Sequence, residues 1–487
     1  MSSHSIDHFK TISLLDHASL EQIHKESLKI LENVGVGVED PECINILKKS
    51  GATVQGQSDI VRLPAEMVLE AIDQVTKEFE LVSSDGTRYA MPSKRPMLMT
   101  RVKMSGMLDY GAEECRVPRR QDVINMCQIA NALPAVKFSY AVDCPTADVP
   151  EEISIVDTVG LTFAITGNPG VCAPLSSEAG RAWIDISAAA TGSDDLIRNP
   201  GVLIAMCTTG PLQFGRENGE LIRHVATRGI PIGAEPMPMS GAVAPMTLAG
   251  TLLAGNAEVL FLLTLANAIR PGAKVSYSSL GTIMNLSIGN ISMGAPETML
   301  LCSAETAMAR FYGLSTYRPT CFSDSYYPDV QAGIEKAAFT IMNILSGGDL
   351  ILMGGSLNNA ASQSYEQVII DHDVWEFANR FVKEIVVNED TLAYETIASV
   401  GPGGSFLAED HTRRWLRSGE HYYGGSYNRN GRPGEENTML ARAHRRVEMI
   451  LSQPLKFRAP HGAIERIKQY VRDEAKSAKV EIPPWAE

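Results

Sequence analysis

The chain has 487 residues, 44% of them hydrophobic and 21% charged, with a formal net charge of -14. This is ordinary globular composition in a chain long for one compact core, so a large domain with additions is expected. The acidic balance argues against nonspecific nucleic-acid binding, which needs basic patches. No run of about 18 apolar residues stands out, so no transmembrane helix is expected. The N-terminal stretch "MSSHSIDHFKTISLLDHASL" lacks the charged start and apolar core of a secretory signal. The eight cysteines (43, 115, 127, 144, 172, 207, 302 and 321) form no CxxC pair. They read as reduced, mostly buried thiols of a cytoplasmic protein, without the spacing of a zinc site.

Met1 to about Arg95 reads as an N-terminal, mainly helical cap. "SLEQIHKESLKILENVGVGV" places Ile23, Leu28, Ile30 and Leu31 on one side of a helix. "PAEMVLEAIDQV" is a second amphipathic helix with proline in its first turn. From Pro96 the pattern alternates. Strands are predicted at "PMLMTRV", "KFSYAV", "GVCAP", "VLIAMCTT", "IPIGAE", "KVSYSSL", "TYRPTCF" and "DLILMGG". Helical stretches between them include "RQDVINMCQIANAL", "GELIRHVATRG", the long apolar segment from Thr247, "ETMLLCSAETAMARFYG" and "VQAGIEKAAFTIMNILSGG". About eight strand–helix units over roughly 290 residues are what a (β/α)8 TIM barrel requires. A doubly wound sheet would also alternate, but no GxGxxG follows any strand. The barrel is therefore assigned to residues 96–385. Residues 386–487 form a C-terminal extension, polar and glycine-rich around "HYYGGSY" and then mainly helical.

Reactive groups of such a barrel sit at the C-terminal ends of the strands. That rule selects Arg101, Asp109 and Tyr110, then Asp143 and Cys144, then Thr208, Thr209 and Phe214. Glu235, Tyr277, the stretch "SDSYYPDVQAG" and "GGSLNNA" complete the rim. It has acids and rings but no histidine cluster, nucleophile elbow or phosphate loop. Acids interleaved with rings suit a cation, above all a quaternary ammonium, which has no N–H to donate. Plainer roles compete at each position. Tyr277 is also placed to pack, Asp324 and Asp329 to cap the following helix, and Cys144, Cys207 and Cys321 to fill core. Glu235 is the stronger candidate, because an acid at a barrel strand end is costly to bury without a role. His411 lies outside the barrel and is equally placed to hold the C-terminal segment.

Several stretches, in conserved order, resemble the trimethylamine methyltransferase superfamily: "ILENVGVGVEDPE", "PMPMSGAVAPMTLAGTLLAGNAEVL", "RPGAKVSYSS", "SDSYYPDVQAGIEKA" and "VGPGGSFLAEDHT". The resemblance covers nearly the whole chain. It implies a (β/α)8 barrel with extra helices, and transfer of a methyl group from an amine to the Co(I) of a separate corrinoid protein. The trimethylamine enzymes of methanogens carry pyrrolysine in or near the segment matching "SDSYYPD", close to Tyr326. This chain has none, so it resembles the non-pyrrolysine branch, which acts on glycine betaine, proline betaine or carnitine. A quaternary nitrogen expels a neutral tertiary amine directly, so transfer needs orientation and a suitable field rather than an acid, base or metal.

On this resemblance Tyr326, Tyr327, Tyr277 and Phe214 are the expected cage. Glu235 and Asp324 face the ammonium or organise the tyrosines, and Gln331 braces the loop. Arg101, His372 and the backbone of "GGSLNN" are candidates for the substrate carboxylate. The D-x-H-x-x-G motif that supplies cobalt's histidine is absent, so no cofactor is expected on this chain and the corrinoid is expected on a partner that docks transiently. A homo-oligomer is also implied. Glycine betaine is the expected substrate, another quaternary amine the alternative. A non-catalytic quaternary-ammonium binder and a metal-dependent barrel hydrolase are the rivals.

Overall fold

The computed structural model describes residues 11–54, 59–318, 321–427, 431 and 433–487. Eight strands close into one all-parallel barrel in chain order. They are β1 (Met97–Lys103), β2 (Val136–Ala141), β3 (Gly170–Cys172), β4 (Val202–Met206), β5 (Ile232–Ala234), β6 (Val275–Tyr277), β7 (Ser315–Arg318) and β8 (Leu350–Leu352). Closure is through Leu350 beside Met97 and Ile351 beside Leu98. Each strand overlaps a stretch predicted from the sequence, β1 ending one residue later and β2 and β7 starting one residue earlier than predicted. The β7 prediction ran on through Pro319 and Thr320, which lie outside the described residues.

Eight helices follow the strands in turn: α1 (Arg120–Ala132), α2 (Glu151–Thr166), α3 (Ser177–Thr191), α4 (Arg216–Thr227), α5 (Leu248–Ile269), α6 (Pro296–Tyr312), α7 (Val330–Ser346) and α8 (Tyr365–Phe381). Local chemistry sets their ends. Asp329 caps α7 by accepting from Ala332 N at 2.9 Å, and Ser364 caps α8 by accepting from Gln367 N at 3.0 Å. Strands walled by helices outside and side chains inside are buried on both faces, which explains their unbroken apolar runs.

The segment before the barrel holds helices His17–Lys29, Pro41–Lys49 and Ala65–Gln74, but strands as well. Val36–Val38, Ile60–Arg62 and Thr53–Val54 form a small sheet whose edge Gln213–Phe214 joins in parallel. A hairpin, Phe79–Val82 with Arg88–Met91, plugs the barrel. Its Phe79, Leu81 and Met91 pack on the interior residues Met99, Phe138, Val171, Leu203, Leu350 and Leu352. That seals the end away from the catalytic rim with apolar contact.

Helix α5 corrects one expectation. Its 22 residues are long and apolar enough to cross a membrane, yet 78% of its most apolar window is buried inside the protein. It is apolar all round because N-terminal helices cover the face that the barrel does not. Its single acid, Glu258, accepts from Thr208 Oγ1 at 2.5 Å and Leu212 N at 2.7 Å.

At the C-terminal end, helix Met439–Leu451 packs on α8 and α1, and helix His461–Ala478 on α2 and α3. Between α8 and these runs an excursion with three short helices, Glu389–Leu392, Tyr394–Val400 and Asp410–Trp415, none with a buried residue. His411 Nε2 meets the Asp390 carbonyl at 3.1 Å, so it holds this excursion together. Asn428 to Asn430 and Arg432, within the predicted glycine-rich stretch, lie outside the described residues.

Candidate active site

Strand alternation decides which rim residues enter the barrel. Arg101 on β1 is in register with Tyr140 on β2, so both side chains point the same way, inward. The Arg101 guanidinium carbon lies 4.8 Å from the Tyr140 ring centroid and 5.3 Å from that of Phe322, in the loop after β7. Tyr317 of β7 stands 6.4 Å from Tyr140, ring to ring. Glu235, one residue past β5, reaches the same space. It is 4% exposed, and its Oε2 has no hydrogen-bond partner. Burial pushes its carboxyl up to about 8, against a pull downward from the Arg101 charge and the neighbouring Tyr317 hydroxyl. That hydroxyl is itself unpartnered at hydrogen-bond distance. The centre is thus one guanidinium, one carboxyl and three rings, with unused polar atoms facing inward.

The surrounding loops are fixed by buried ion pairs. Arg318 Nη1 meets Glu305 Oε2 at 3.2 Å and the Ser279 carbonyl at 2.6 Å, joining the β6 and β7 loops. Lys336 on α7 donates to Asp371 on α8 at 3.0 Å and to the Cys321 carbonyl at 2.9 Å. Asp371 also accepts from Gly355 N at 2.8 Å, which positions the β8 loop. Gly354 is needed there, since a Cβ would lie 2.4 Å from Arg101 N. Lys103, 1% exposed, donates to Thr146 Oγ1 at 2.9 Å and Thr158 Oγ1 at 3.1 Å. Among the described residues no three His, Cys, Asp or Glu side chains are grouped to hold a metal ion.

Of the residues selected from the sequence, Glu235 and Arg101 converge. The other cage and carboxylate candidates do not join them. Tyr277 has the opposite phase on its strand. Its hydroxyl leaves the barrel for Asn256 Oδ1 on α5 at 3.1 Å, and its ring stacks 6.5 Å from Tyr312 on α6. Phe214 packs edge-on against Phe261 at 5.5 Å, beneath the N-terminal sheet. Tyr326 accepts from Cys115 N at 3.1 Å, and Tyr327, 44% exposed, donates to the Glu113 carbonyl at 2.9 Å. The two tyrosines of "SDSYYPD" therefore clamp the loop after β1 and do not form a cage wall. Asp324 accepts from Gly294 N at 2.6 Å and from Ser292 Oγ, tying down the loop after β6. Gln331 donates to Glu335 at 2.8 Å, and Glu335 in turn accepts from Ser323 Oγ at 2.6 Å.

His372 lies on α8 beside Arg446 and Asp373, under the C-terminal helix. Desolvation pushes it down to about 4, and both of its ring nitrogens are buried without a hydrogen-bond partner. The "GGSLNN" backbone is committed as well: Asn358 N donates to the Ser325 carbonyl at 2.8 Å and Asn359 N to the Ser323 carbonyl at 2.9 Å. Arg101 is the one expected carboxylate partner left at the centre. Tyr140, Tyr317 and Phe322 were missed. The signal for Tyr140 was its register with Arg101, which needs the strand pairing to be known; Tyr317 pairs with Leu350 on β8, and Phe322 lies in the loop after β7.

Comparison with known proteins agrees with this architecture. The chain is 32% identical over 418 residues to a trimethylamine methyltransferase of Methanosarcina barkeri, covering 83% of each. It is 30% identical to the corresponding protein of Desulfitobacterium hafniense, covering 82% of this chain and 81% of that one. A glycine betaine methyltransferase of Desulfitobacterium hafniense is 28% identical, with coverage of 82% and 84%. The solved Methanosarcina barkeri monomethylamine methyltransferase has the same fold, with TM-score 0.52 at 14% identity over 89% of this chain and 92% of that one. The trimethylamine methyltransferase (MTTB) family model matches residues 2–478, and the chain is a methyltransferase belonging to that family.

Proposed function

We propose that this methyltransferase takes a methyl group from a quaternary amine, glycine betaine first among them, and passes it to the Co(I) of a separate corrinoid protein. The observation that carries this reading is the centre itself. Tyr140, Phe322 and Tyr317 offer ring faces, Glu235 offers an acid with a free oxygen, and Arg101 offers a buried cation. A buried cation for a carboxylate, with ring faces for an ammonium, suits a small zwitterion. The cobalt's electron pair would form the new bond to carbon, and the C–N pair would leave with nitrogen, giving the dimethylglycine anion, a tertiary amine uncharged at nitrogen that keeps its carboxylate. No proton moves in that step, consistent with a centre that holds no base–nucleophile pair. The barrel's task is to aim one N–CH3 axis outward, which is catalysis by orientation. The corrinoid is a co-substrate on its partner, docking at the mouth and leaving after transfer.

The family's methylamine relatives make trimethylamine the competing donor. Trimethylamine carries no anion, so it would leave Arg101 uncompensated, and that favours the betaine. Self-association belongs to the same reading: the excursion after α8 exposes Ile385 (85%), Val387 (71%), Tyr394 (72%) and Leu407 (86%), apolar surface that a second copy would cover. The test is spectroscopic. Purified protein is mixed with its corrinoid protein held as Co(I) and each of glycine betaine, proline betaine, carnitine and trimethylamine. Growth of the methyl-Co(III) spectrum with glycine betaine is expected. Growth with trimethylamine alone, or amine binding without any spectral change, refutes the reading.

A further inference from the structure

Among the described residues, the buried cations come with their compensation, Arg101 excepted. Arg318 has Glu305 and Lys336 has Asp371, all four essentially inaccessible. Lys103 lacks a carboxylate but gives two hydrogen bonds to threonine hydroxyls. Arg101, 4% exposed, has no carboxylate at ion-pair distance among the described residues. Its Nη1 touches Met104 Sδ at 2.8 Å and makes a long bond to Ser356 Oγ at 3.4 Å, and its Nε has no partner. Five donors in a planar fork are therefore mostly unused in a space of low dielectric. What holds the guanidinium in place is its stacking over Tyr140 and Phe322. Those are also the ring faces that an ammonium would need.

Resting on the betaine reading above, we propose that Arg101 is a latch that makes the site selective for quaternary amines bearing a carboxylate. With the site free, the guanidinium occupies the ring faces. A ligand carboxylate supplies the missing anion, draws the fork onto itself and clears the rings for the ligand's own ammonium. A bare cation such as choline or tetramethylammonium cannot do this. It would have to displace one buried positive charge with another, leaving two like charges together in a dry pocket. Glu235 does not relieve that conflict at neutral pH, because burial keeps its carboxyl largely protonated. The latch thus gives specificity through a penalty on the wrong ligand as much as through attraction to the right one.

The experiment is calorimetric titration of the purified full chain with glycine betaine, choline and tetramethylammonium, for wild type, Arg101→Met and Arg101→Lys. Wild type is expected to bind glycine betaine about 100-fold more tightly than choline, the value of one well-formed charge-assisted contact. Arg101→Met keeps the apolar stem and frees the rings, so betaine affinity falls and choline affinity rises until their ratio is close to one. Arg101→Lys restores a cation without the flat fork and recovers part of the preference. Thermal melts check that both variants fold. If Arg101→Met does not, the Arg101→Lys ratio decides: an unchanged preference overturns the latch. So does a wild type that binds choline and betaine equally, or an Arg101→Met that keeps the wild-type ratio. If wild type binds none of the three, the quaternary-amine reading itself fails, and the latch with it.

Discussion

The Lys336–Asp371 pair offers a demanding test of how the mouth is held. Both side chains are almost wholly buried, at 0% and 1% exposure, and lie 3.0 Å apart. Lys336→Met removes the cation but leaves Asp371 two donors, Gly355 N and Gln367 Nε2, each at 2.8 Å. Its cost should fall at the lower end of the range for breaking a buried pair, about 3 kcal/mol. The Cys321 carbonyl also loses the bond from the Lys336 ammonium, adding about 1 kcal/mol. Asp371→Asn strands a buried ammonium with that carbonyl alone, so it should cost more, about 5 kcal/mol. The double variant leaves no uncompensated charge and should cost no more than the worse single change. Coupling of at least about 4 kcal/mol then emerges from a double-mutant cycle in urea, followed by circular dichroism. Additive costs, with coupling below about 0.5 kcal/mol, would refute the view that this pair acts as one unit. The consequence reaches the site, because Cys321 precedes Phe322 and Gly355 precedes Ser356, both neighbours of Arg101.

Glu235 makes stability depend on pH. Its folded value is raised, so the native state keeps a proton that the unfolded chain has lost. Its contribution is full below the ordinary carboxylate range and declines as pH rises through about 8. The slope is at most about 1.4 kcal/mol per pH unit, visible as a falling urea midpoint that Glu235→Gln flattens. Tyr277→Phe should cost about 1 kcal/mol of stability through the lost Asn256 bond and leave the KM of methyl transfer unchanged, whereas Tyr140→Ala should raise that KM at least about tenfold. Gly354→Ala drives a Cβ into the Arg101 backbone and should cost about 1–3 kcal/mol in urea denaturation while weakening amine binding in calorimetry. Ile385→Glu with Leu407→Glu should lower the mass found by light scattering, since both positions are exposed and apolar.

Much of this could be read from residues in a row. Periodicity located every barrel strand, because a strand buried on both faces is a short apolar run and the helices between carry their own period. The rule for barrel ends brought out Glu235 and Arg101 without any pairing known. The family followed from quoted stretches in order along the chain, and matches residues 2–478.

What the order of residues does not carry is the phase of each strand. A half-buried strand advertises its inner face by polar alternation, but a doubly buried strand does not, and a shift of one residue exchanges inside for outside. That is why Tyr277, though at a strand end, turned out to face α5 and α6, while Tyr140 and Tyr317 face the centre. The tyrosines of "SDSYYPD" show the same limit for loops. Their targets, Cys115 and Glu113, lie about two hundred positions earlier, and only closure of β8 onto β1 brings those segments together. The sequence alone determined the barrel, its ends and the chemistry available there. Tertiary structure decided which rings meet the guanidinium, because that choice depends on register between strands distant in the chain.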